Sequence, residues 1–194
     1  MIKIVALTGP KGAGKSTLAS NIEALIESKD IEVVRLSFAT PLKMACHIMF
    51  GGEVAHWFGN KKEEILPHIG KTPRELMQKL GTDFVRDMVD PLLWIKTMRA
   101  NINNILVTQE DGLRKLIIVD DMRFPNEAEL LQDLGAHLYS IKIEDAAAET
   151  SSLSQHRSEA GIDPKYLSKA YSASYRDFAS LKNIAAAIFK SCDF

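Results

Sequence analysis

The residues most able to do chemistry stand close to the start of the chain. Gly9-Pro10-Lys11-Gly12-Ala13-Gly14-Lys15-Ser16 fits the pattern Gly, four residues, Gly-Lys-Ser, with Thr17 next. Glycines there let the backbone curl so that several N–H groups face inward toward phosphate oxygens. A helix beginning at the loop adds unsatisfied N–H groups and a positive dipole end. Lys15 can reach β- and γ-phosphates, and the Ser16 hydroxyl can ligate Mg²⁺. Gly9, Lys11, Gly12, Ala13, Gly14, Lys15, Ser16 and Thr17 are therefore the expected nucleoside triphosphate site, with Ser16 as metal ligand. The alternative is a Gly/Lys-rich turn that holds no ligand, and the spacing, flanks and Lys-Ser pair count against it. The loop leaves the reaction unspecified.

Two further groups have suggestive spacing. Arg74, Gln78, Gly81 and Thr82 recur at offsets of four, seven and eight, so one helix face would carry a guanidinium, an amide, a gap and a hydroxyl. Such a face could hold a phosphate and a base edge, with glycine letting the ligand approach; an ordinary polar face with a tolerated glycine reads equally well. The other group is the apolar run Leu116-Ile117-Ile118-Val119, which ends in Asp120-Asp121 and is followed by Arg123. Carboxylates at the end of a buried parallel strand are where acidic residues meet Mg²⁺ or its waters. The strand period of two sends Asp120 and Asp121 to opposite faces, so only one can face a site. Arg123 would meet developing phosphoryl charge; the alternative is a structural ion pair. Lys43, just after the second strand, is either a ligand contact or a solvated charge. Lys61 and Lys62 read as solvated surface ahead of a contact with substrate phosphate, and Arg157 as a lid arginine or a surface residue.

The elements that must position these groups follow from periodicity. Ile2 to Leu7 reads as the first strand, and Leu18, Ile22, Leu25 and Ile26 mark a helix after the loop. A second strand spans Ile31 to Phe38. It leads to a helix with Thr40 as N-cap and Pro41 first. Gly51 to Lys71, with paired glycines and Pro67, reads as an irregular insertion, either flap or disordered. Thr72-Pro73-Arg74-Glu75 is a capping box opening a helix whose apolar stripe is Leu76, Leu80 and Phe84. Asp90-Pro91 starts another helix, with Trp94 more often core than base-stacking at such a place. Glu127 begins a helix that stops near Gly135, and His137 to Ile143 alternates as a strand. Asp145 to Ser154 reads as a mobile connection, Ser172 to Asp177 as a short last strand, and Leu181, Ile184 and Ile188 as a closing helix.

Composition narrows the class. At 194 residues with net charge −1, the chain fits one α/β domain and offers no electrostatic case for duplex nucleic acid or an anionic membrane. Cys46 and Cys192 read as two reduced thiols of a cytosolic protein. No apolar run is long enough to span a bilayer. Neither the Asn-Lys-x-Asp guanine signature nor an Asp-x-x-Gly switch is present, which argues against a GTPase.

Taken in order, the phosphate loop, Phe38-Ala39-Thr40-Pro41-Leu42-Lys43, Thr72-Pro73-Arg74, Gln78-Lys79-Leu80-Gly81-Thr82-Asp83 with Arg86, Trp94, Asp121-Met122-Arg123-Phe124-Pro125-Asn126-Glu127 and His156-Arg157-Ser158-Glu159 resemble the bacteriophage-type deoxynucleoside monophosphate kinases of the P-loop kinase superfamily. The resemblance covers most of the chain and is weakest in Gly51–Lys71 and after Glu159. It implies a three-layer P-loop kinase fold with a central, mostly parallel sheet flanked by helices. It implies one domain over residues 1–194, with a helical substrate-binding insertion at about 40–108 and a lid-like segment at about 145–165. The implied reaction takes ATP and a deoxynucleoside 5′-monophosphate to ADP and the diphosphate, with Mg²⁺. Lys15, Arg123 and Asp121 would be catalytic; Lys43, Arg74, Gln78, Gly81, Thr82, Arg86, Trp94, Asp121, Arg123 and Glu127 would bind the monophosphate. A cytoplasmic location is implied, that of the host if a phage encodes it, with small nucleotides as partners and a homodimer left open. Competing readings are another small-molecule P-loop kinase, of the dephospho-coenzyme A or phosphomevalonate type, and a non-catalytic ATP-binding module. Two departures stand out. Many relatives read Gly-Lys-Asp-Thr where this chain reads Gly-Lys-Ser-Thr. An Asn expected after the last strand is replaced by Arg176-Asp177, so the residues that recognise adenine stay unassigned.

Overall fold

A computed structural model describes residues 1–10, 12–26, 30–108, 113–144, 162–174 and 177–193. Lys11, Arg157 with the rest of His156–Glu159, most of the lid-like segment, and Arg176 lie outside the described residues.

Two compact units divide the chain: Met1–Ser37 with Asn103–Phe194, and Phe38–Ile102. The first is built on a five-stranded sheet, β1 Ile2–Thr8, β2 Ile31–Leu36, β3 Arg114–Val119, β4 His137–Ile143 and β5 Lys169–Ala173, in the order β2-β3-β1-β4-β5. Each pairing is parallel. Ile4 to Thr8 and Lys115 to Val119 are buried without a break, because β1 and β3 are covered on both faces. Alternate residues (Val5 and Leu7, Leu116 and Ile118, Tyr139 and Ile141) join one core with Leu18, Ala19 and Ile22 of α1 (Lys15–Ala24) and Leu181, Ile184, Ala185 and Ile188 of α7 (Phe178–Ser191). The opposite face buries Ile4, Ala6, Ile117, Val119 and Leu138. Beside β4 there lies α6, Pro125–Asp133, with Ala128, Leu130 and Leu131 buried. This is the α/β architecture of P-loop kinases. The chain leaves β1 toward β2 on one side, while the connection from β3 passes to β4 on the other. That reversal at β1 is where open parallel sheets bind ligands, at the C-terminal strand edge.

Expected strand limits shift by a few residues. β3 ends at Val119, leaving Asp120 and Asp121 just past the ladder, and the last strand is Lys169–Ala173 rather than Ser172 to Asp177. A short 3₁₀ turn, Pro164–Tyr166, precedes it.

The second unit is helical: α2 Thr40–Phe50, α3 Val54–Phe58, α4 Pro73–Gln78, a π-helix Lys79–Val89, and most of α5, Leu93–Val107. Thr40 is the first helical residue of α2, Ala39 stands at the cap, and no side chain caps it. Residues 51–71 hold one short helix, Val54–Phe58, among turns and bends, as expected of an irregular insertion. They fold around Trp57, fully buried with Cys46, Leu66 and Leu76 in one small core. The Trp57 indole N–H donates to the Gly51 carbonyl at 2.7 Å, and its ring stacks on Phe50.

The π-helix breaks the expected stripe after Leu80: Leu76 and Leu80 pack in the small core, and Phe84 leaves it. Its i→i+5 bonding, as in Asp90 N–H to Val85 O at 2.9 Å, widens each turn. The buried row becomes Leu76, Gly81 and Val85, whereas Phe84 is 50% exposed and Met88 76%. A stripe drawn for 3.6 residues per turn rotates off the core once the turn opens.

Candidate functional site

In the first unit the loop after β1 turns on three glycines with positive φ: Gly9 at 146°, Gly12 at 80° and Gly14 at 82°. L side chains rarely adopt that region. At Gly9 space forbids a side chain as well, since a Cβ would lie 2.3 Å from the Ile141 carbonyl oxygen of β4. Gly14 is the N-cap of α1 and accepts from Leu18 N–H at 2.8 Å, with no side chain occupying the cap. The first-turn N–H groups of α1 therefore open at the loop. Lys15 turns back across it: its Nζ donates to the carbonyl oxygens of Gly9 and Pro10, each at 2.8 Å. Ser16 and Thr17 are exposed, while Ala13 is buried beneath the loop.

Register places the carboxylates. Ala6 pairs with Val119, so Asp120 and Asp121 follow at the level of Leu7 and Thr8, at the root of the loop. They point to different partners, as the strand period requires. Asp120 binds Arg35 of β2 (Nη2 to Oδ2, 2.6 Å), which also meets Glu23 and Ser20 of α1. Asp121 accepts from the Ser37 hydroxyl at 2.6 Å. Arg35 and Ser37 are partners that periodicity alone did not select; both stand at the end of β2, next to β3 in the sheet. Among the described residues no three His, Cys, Asp or Glu side chains cluster as a metal cage. The donors present, Ser16 and the carboxylates ending β3, fit Mg²⁺ all the same, since that ion takes few protein ligands beside nucleotide phosphates and waters.

Glu127, expected as a substrate residue, is 3% exposed. Its Oε2 accepts from the backbone N–H of Arg123 at 2.7 Å and of Phe124 at 3.1 Å. It thus neutralises the positive end of α6 and fixes the backbone that carries Arg123.

The second unit carries the other candidates. The capping box is present: Thr72 Oγ1 accepts from Glu75 N–H at 3.2 Å, and Glu75 Oε2 accepts from Thr72 N–H at 2.8 Å. The Thr72 N–H and the Thr72 hydroxyl, the latter at 3.0 Å, both donate to Glu75 Oε2 and hold its carboxyl below the usual carboxylate range. Arg74, Gln78 and Thr82 are exposed and Arg86 half-buried; the interval of four that would align them on an α-helix no longer does so past Lys79, where the π-helix begins. Arg74 is oriented by Glu63, whose carboxylate accepts from its Nε, and its N–H donates to Lys62 O at 3.1 Å. Gly81 is buried. A Cβ there would come within 2.6 Å of Leu42 Cδ2, so the glycine makes room for α2. Trp94 is half-buried, and its indole N–H donates to the Gly81 carbonyl at 3.2 Å. Lys96 pairs with Asp90 at 2.6 Å and, with the Leu92 N–H, holds the Asp90 carboxyl low at the start of α5. Lys43 sits over the Phe58 ring at 5.7 Å. Lys61 pairs with Glu53 at 2.9 Å, so it is a surface ion pair.

One cavity, of about 170 Å³, adjoins the loop in the first unit. It is lined by Gly12, Ala13, Gly14 and Thr17, and by Ile143, Ser174, Phe178 and Leu181. The last four escaped the sequence analysis, because three of them read there only as strand or helix core. No helix among the described residues is long and apolar enough to cross a membrane.

The model of one protein family, deoxynucleotide monophosphate kinase, matches residues 60–168. The match takes in Arg74 through Trp94 and Asp121 through Glu127; the phosphate loop and Lys43 lie before it. A protein of Acanthamoeba polyphaga mimivirus named "Putative deoxynucleotide monophosphate kinase" is 32% identical over 147 residues, which is 71% of this chain and 72% of that one. Deoxynucleoside-5'-monophosphate kinase of Escherichia phage T5 is 27% identical over 135 residues, 68% of this chain and 50% of its own length.

Proposed function

This chain belongs to the deoxynucleotide monophosphate kinase family, and on that premise we propose that it moves the γ-phosphoryl group of ATP to a deoxynucleoside 5′-monophosphate, giving ADP and the diphosphate. Family membership carries the acceptor half of the reading, and the loop carries the donor half. Three glycines at positive φ, an open helix N-terminus and the Lys15 ammonium surround one space. Lys15 donates there to two carbonyls, and a triphosphate would offer its ammonium formal negative charge in place of carbonyl dipoles.

Phosphoryl transfer asks the protein for positioning and charge stabilisation more than for covalent chemistry. The acceptor is itself a phosphate, largely ionised near neutral pH, so no strong base is needed. An acceptor oxygen attacks the γ-phosphorus, the bond to the bridging oxygen breaks, and that oxygen's charge stays on ADP. Lys15 and the loop amides hold the donor. Ser16, with a carboxylate ending β3, would hold Mg²⁺, which when bound offsets charge on the β- and γ-phosphates. Asp121 is the carboxylate we assign there, its Oδ2 accepting from the Ser37 hydroxyl at 2.6 Å. Arg123, its backbone fixed by Glu127, supplies positive charge to the moving group. The helical unit Phe38–Ile102 is the substrate-binding region, with Arg74, Gln78, Thr82 and Arg86 along the acceptor and Trp94 steadying the π-helix through Gly81.

The test is an incubation with ATP, Mg²⁺ and each deoxy- and ribonucleoside monophosphate in turn. Diphosphate should form with at least one deoxynucleotide. Its absence with all of them would overturn the assignment.

A further inference from the structure

The insertion over residues 51–71 reaches the start of α4 at two points. The Lys62 carbonyl accepts from the Arg74 N–H at 3.1 Å, and the Glu63 carboxylate accepts from Arg74 Nε. The first contact completes the closing of the helix end. Pro73 has no N–H to offer, while the Glu75 and Leu76 N–H groups donate to Thr72 Oγ1 at 3.2 Å and Thr72 O at 3.1 Å. An anion therefore finds no open amide at this N-terminus, and Arg74 must meet it with its side chain. The second contact governs how. Glu63 takes Nε, and among the described residues no hydrogen bond reaches Nη1 or Nη2 of Arg74. Those two nitrogens form a fork that can meet a phosphate through two parallel bonds. The nearby carboxylates are engaged elsewhere: Glu53 with Lys61 at 2.9 Å, and Glu64 with His56 at 3.8 Å and Lys61 at 4.0 Å.

Stability does not account for the Glu63 contact. The Arg74 side chain is 44% exposed and that of Glu63 63%, and ion pairs so open to water add little to a fold. A held guanidinium has another use, because a long side chain fixed beforehand need not be ordered when a ligand arrives. We propose that Glu63 is a positioning residue for the acceptor: it anchors Arg74 by Nε so that Nη1 and Nη2 stand ready for the 5′-phosphate of the monophosphate. This rests on reading Arg74 as an acceptor residue, and it gives the insertion a part in substrate binding.

Equilibrium binding of dAMP, dCMP, dGMP and dTMP to the full chain tests it, with ATP binding to the same variants as the control. E63A should weaken the monophosphates that the parent binds by about two- to tenfold, which is what ordering one long side chain costs, and should leave ATP unchanged. E63Q keeps an oxygen that accepts from Nε and should recover most of the loss. E63A/R74A should bind as R74A does, since Glu63 acts only through Arg74. Thermal melts should place E63A within about 2 °C of the parent. Unchanged or tighter monophosphate binding in E63A would overturn the proposal, the tighter case marking Glu63 as a competitor for Arg74. A loss shared by ATP, a loss that persists in the R74A background, or an E63Q as weak as E63A would do the same. If R74A binds every monophosphate as the parent does, Arg74 leaves the acceptor site and the proposal goes with it. Binding that depends on both residues, with no deoxynucleotide phosphorylated, would keep the role of Glu63 and remove the kinase reading.

Discussion

Replacing Glu127 separates two uses of one carboxylate. The resemblance gives it to the substrate, whereas the structure buries it at 3% exposure and turns Oε2 onto the N–H groups of Arg123 and Phe124. In E127A both donors lose that acceptor where the side chain was buried, at about 1–3 kcal/mol for each buried group left unsatisfied. Partial access by water trims the sum to roughly 2–4 kcal/mol. For a chain of this size each kcal/mol moves the melting temperature by about 2–4 °C, so E127A should melt roughly 5–15 °C below the parent. E127Q keeps an acceptor oxygen but loses the charge at the helix end, and should cost only about 1 kcal/mol. Thermal melts followed by circular dichroism, with steady-state kinetics on the same samples, check both. Turnover should fall in E127A because the backbone carrying Arg123 relaxes, and E127Q should recover much of it. If E127A melts within about 2 °C of the parent while the KM for monophosphate rises sharply, the carboxylate contacts substrate and the capping argument is wrong.

Three further outcomes follow from the site and the cores. Lys15→Ala or Arg123→Ala should cut turnover by orders of magnitude with the fold intact, since each removes a cation placed for transition-state charge; near-normal steady-state rates in either variant discard its role. Arg74→Ala should raise the monophosphate KM more than the ATP KM, and equal effects would remove that helix face from acceptor binding. Burial pushes the thiols of Cys46 and Cys192 from the ordinary value of 9.0 up to about 11. Between those values the folded chain keeps protons that the unfolded chain has released, so stability is intact below about pH 9 and falls as pH rises toward 11. Urea midpoints at pH 8, 9 and 10 should decline, and C46A/C192A should flatten the decline; an unchanged slope in that variant assigns the effect elsewhere.

The amino-acid sequence by itself determined the phosphate loop, the strand before it, the helix after it and the capping box at Thr72. Each of these is a local pattern, with its physics contained in a few consecutive residues: glycines at positive φ, an apolar run, a hydroxyl three residues from a carboxylate. Matters that depend on distant neighbours were decided only by the tertiary structure. Asp120 and Asp121 share one strand pattern, yet Arg35 takes the first and Ser37 the second because β2 lies beside β3. Gly81 looked like an opening for a ligand, and the structure adds a packing reason for it, since a Cβ there would come within 2.6 Å of Leu42 Cδ2. The stripe through Leu76, Leu80 and Phe84 assumed an α-helical turn, which i→i+5 bonding replaces, so Val85 is buried and Phe84 exposed. Residues 51–71 gain their order from burying Trp57, a long-range contact that no local spacing announces. Phe178 shows the same limit, for it comes to line the cavity beside the loop after β1 only when α7 brings it there, some 160 residues later in the chain.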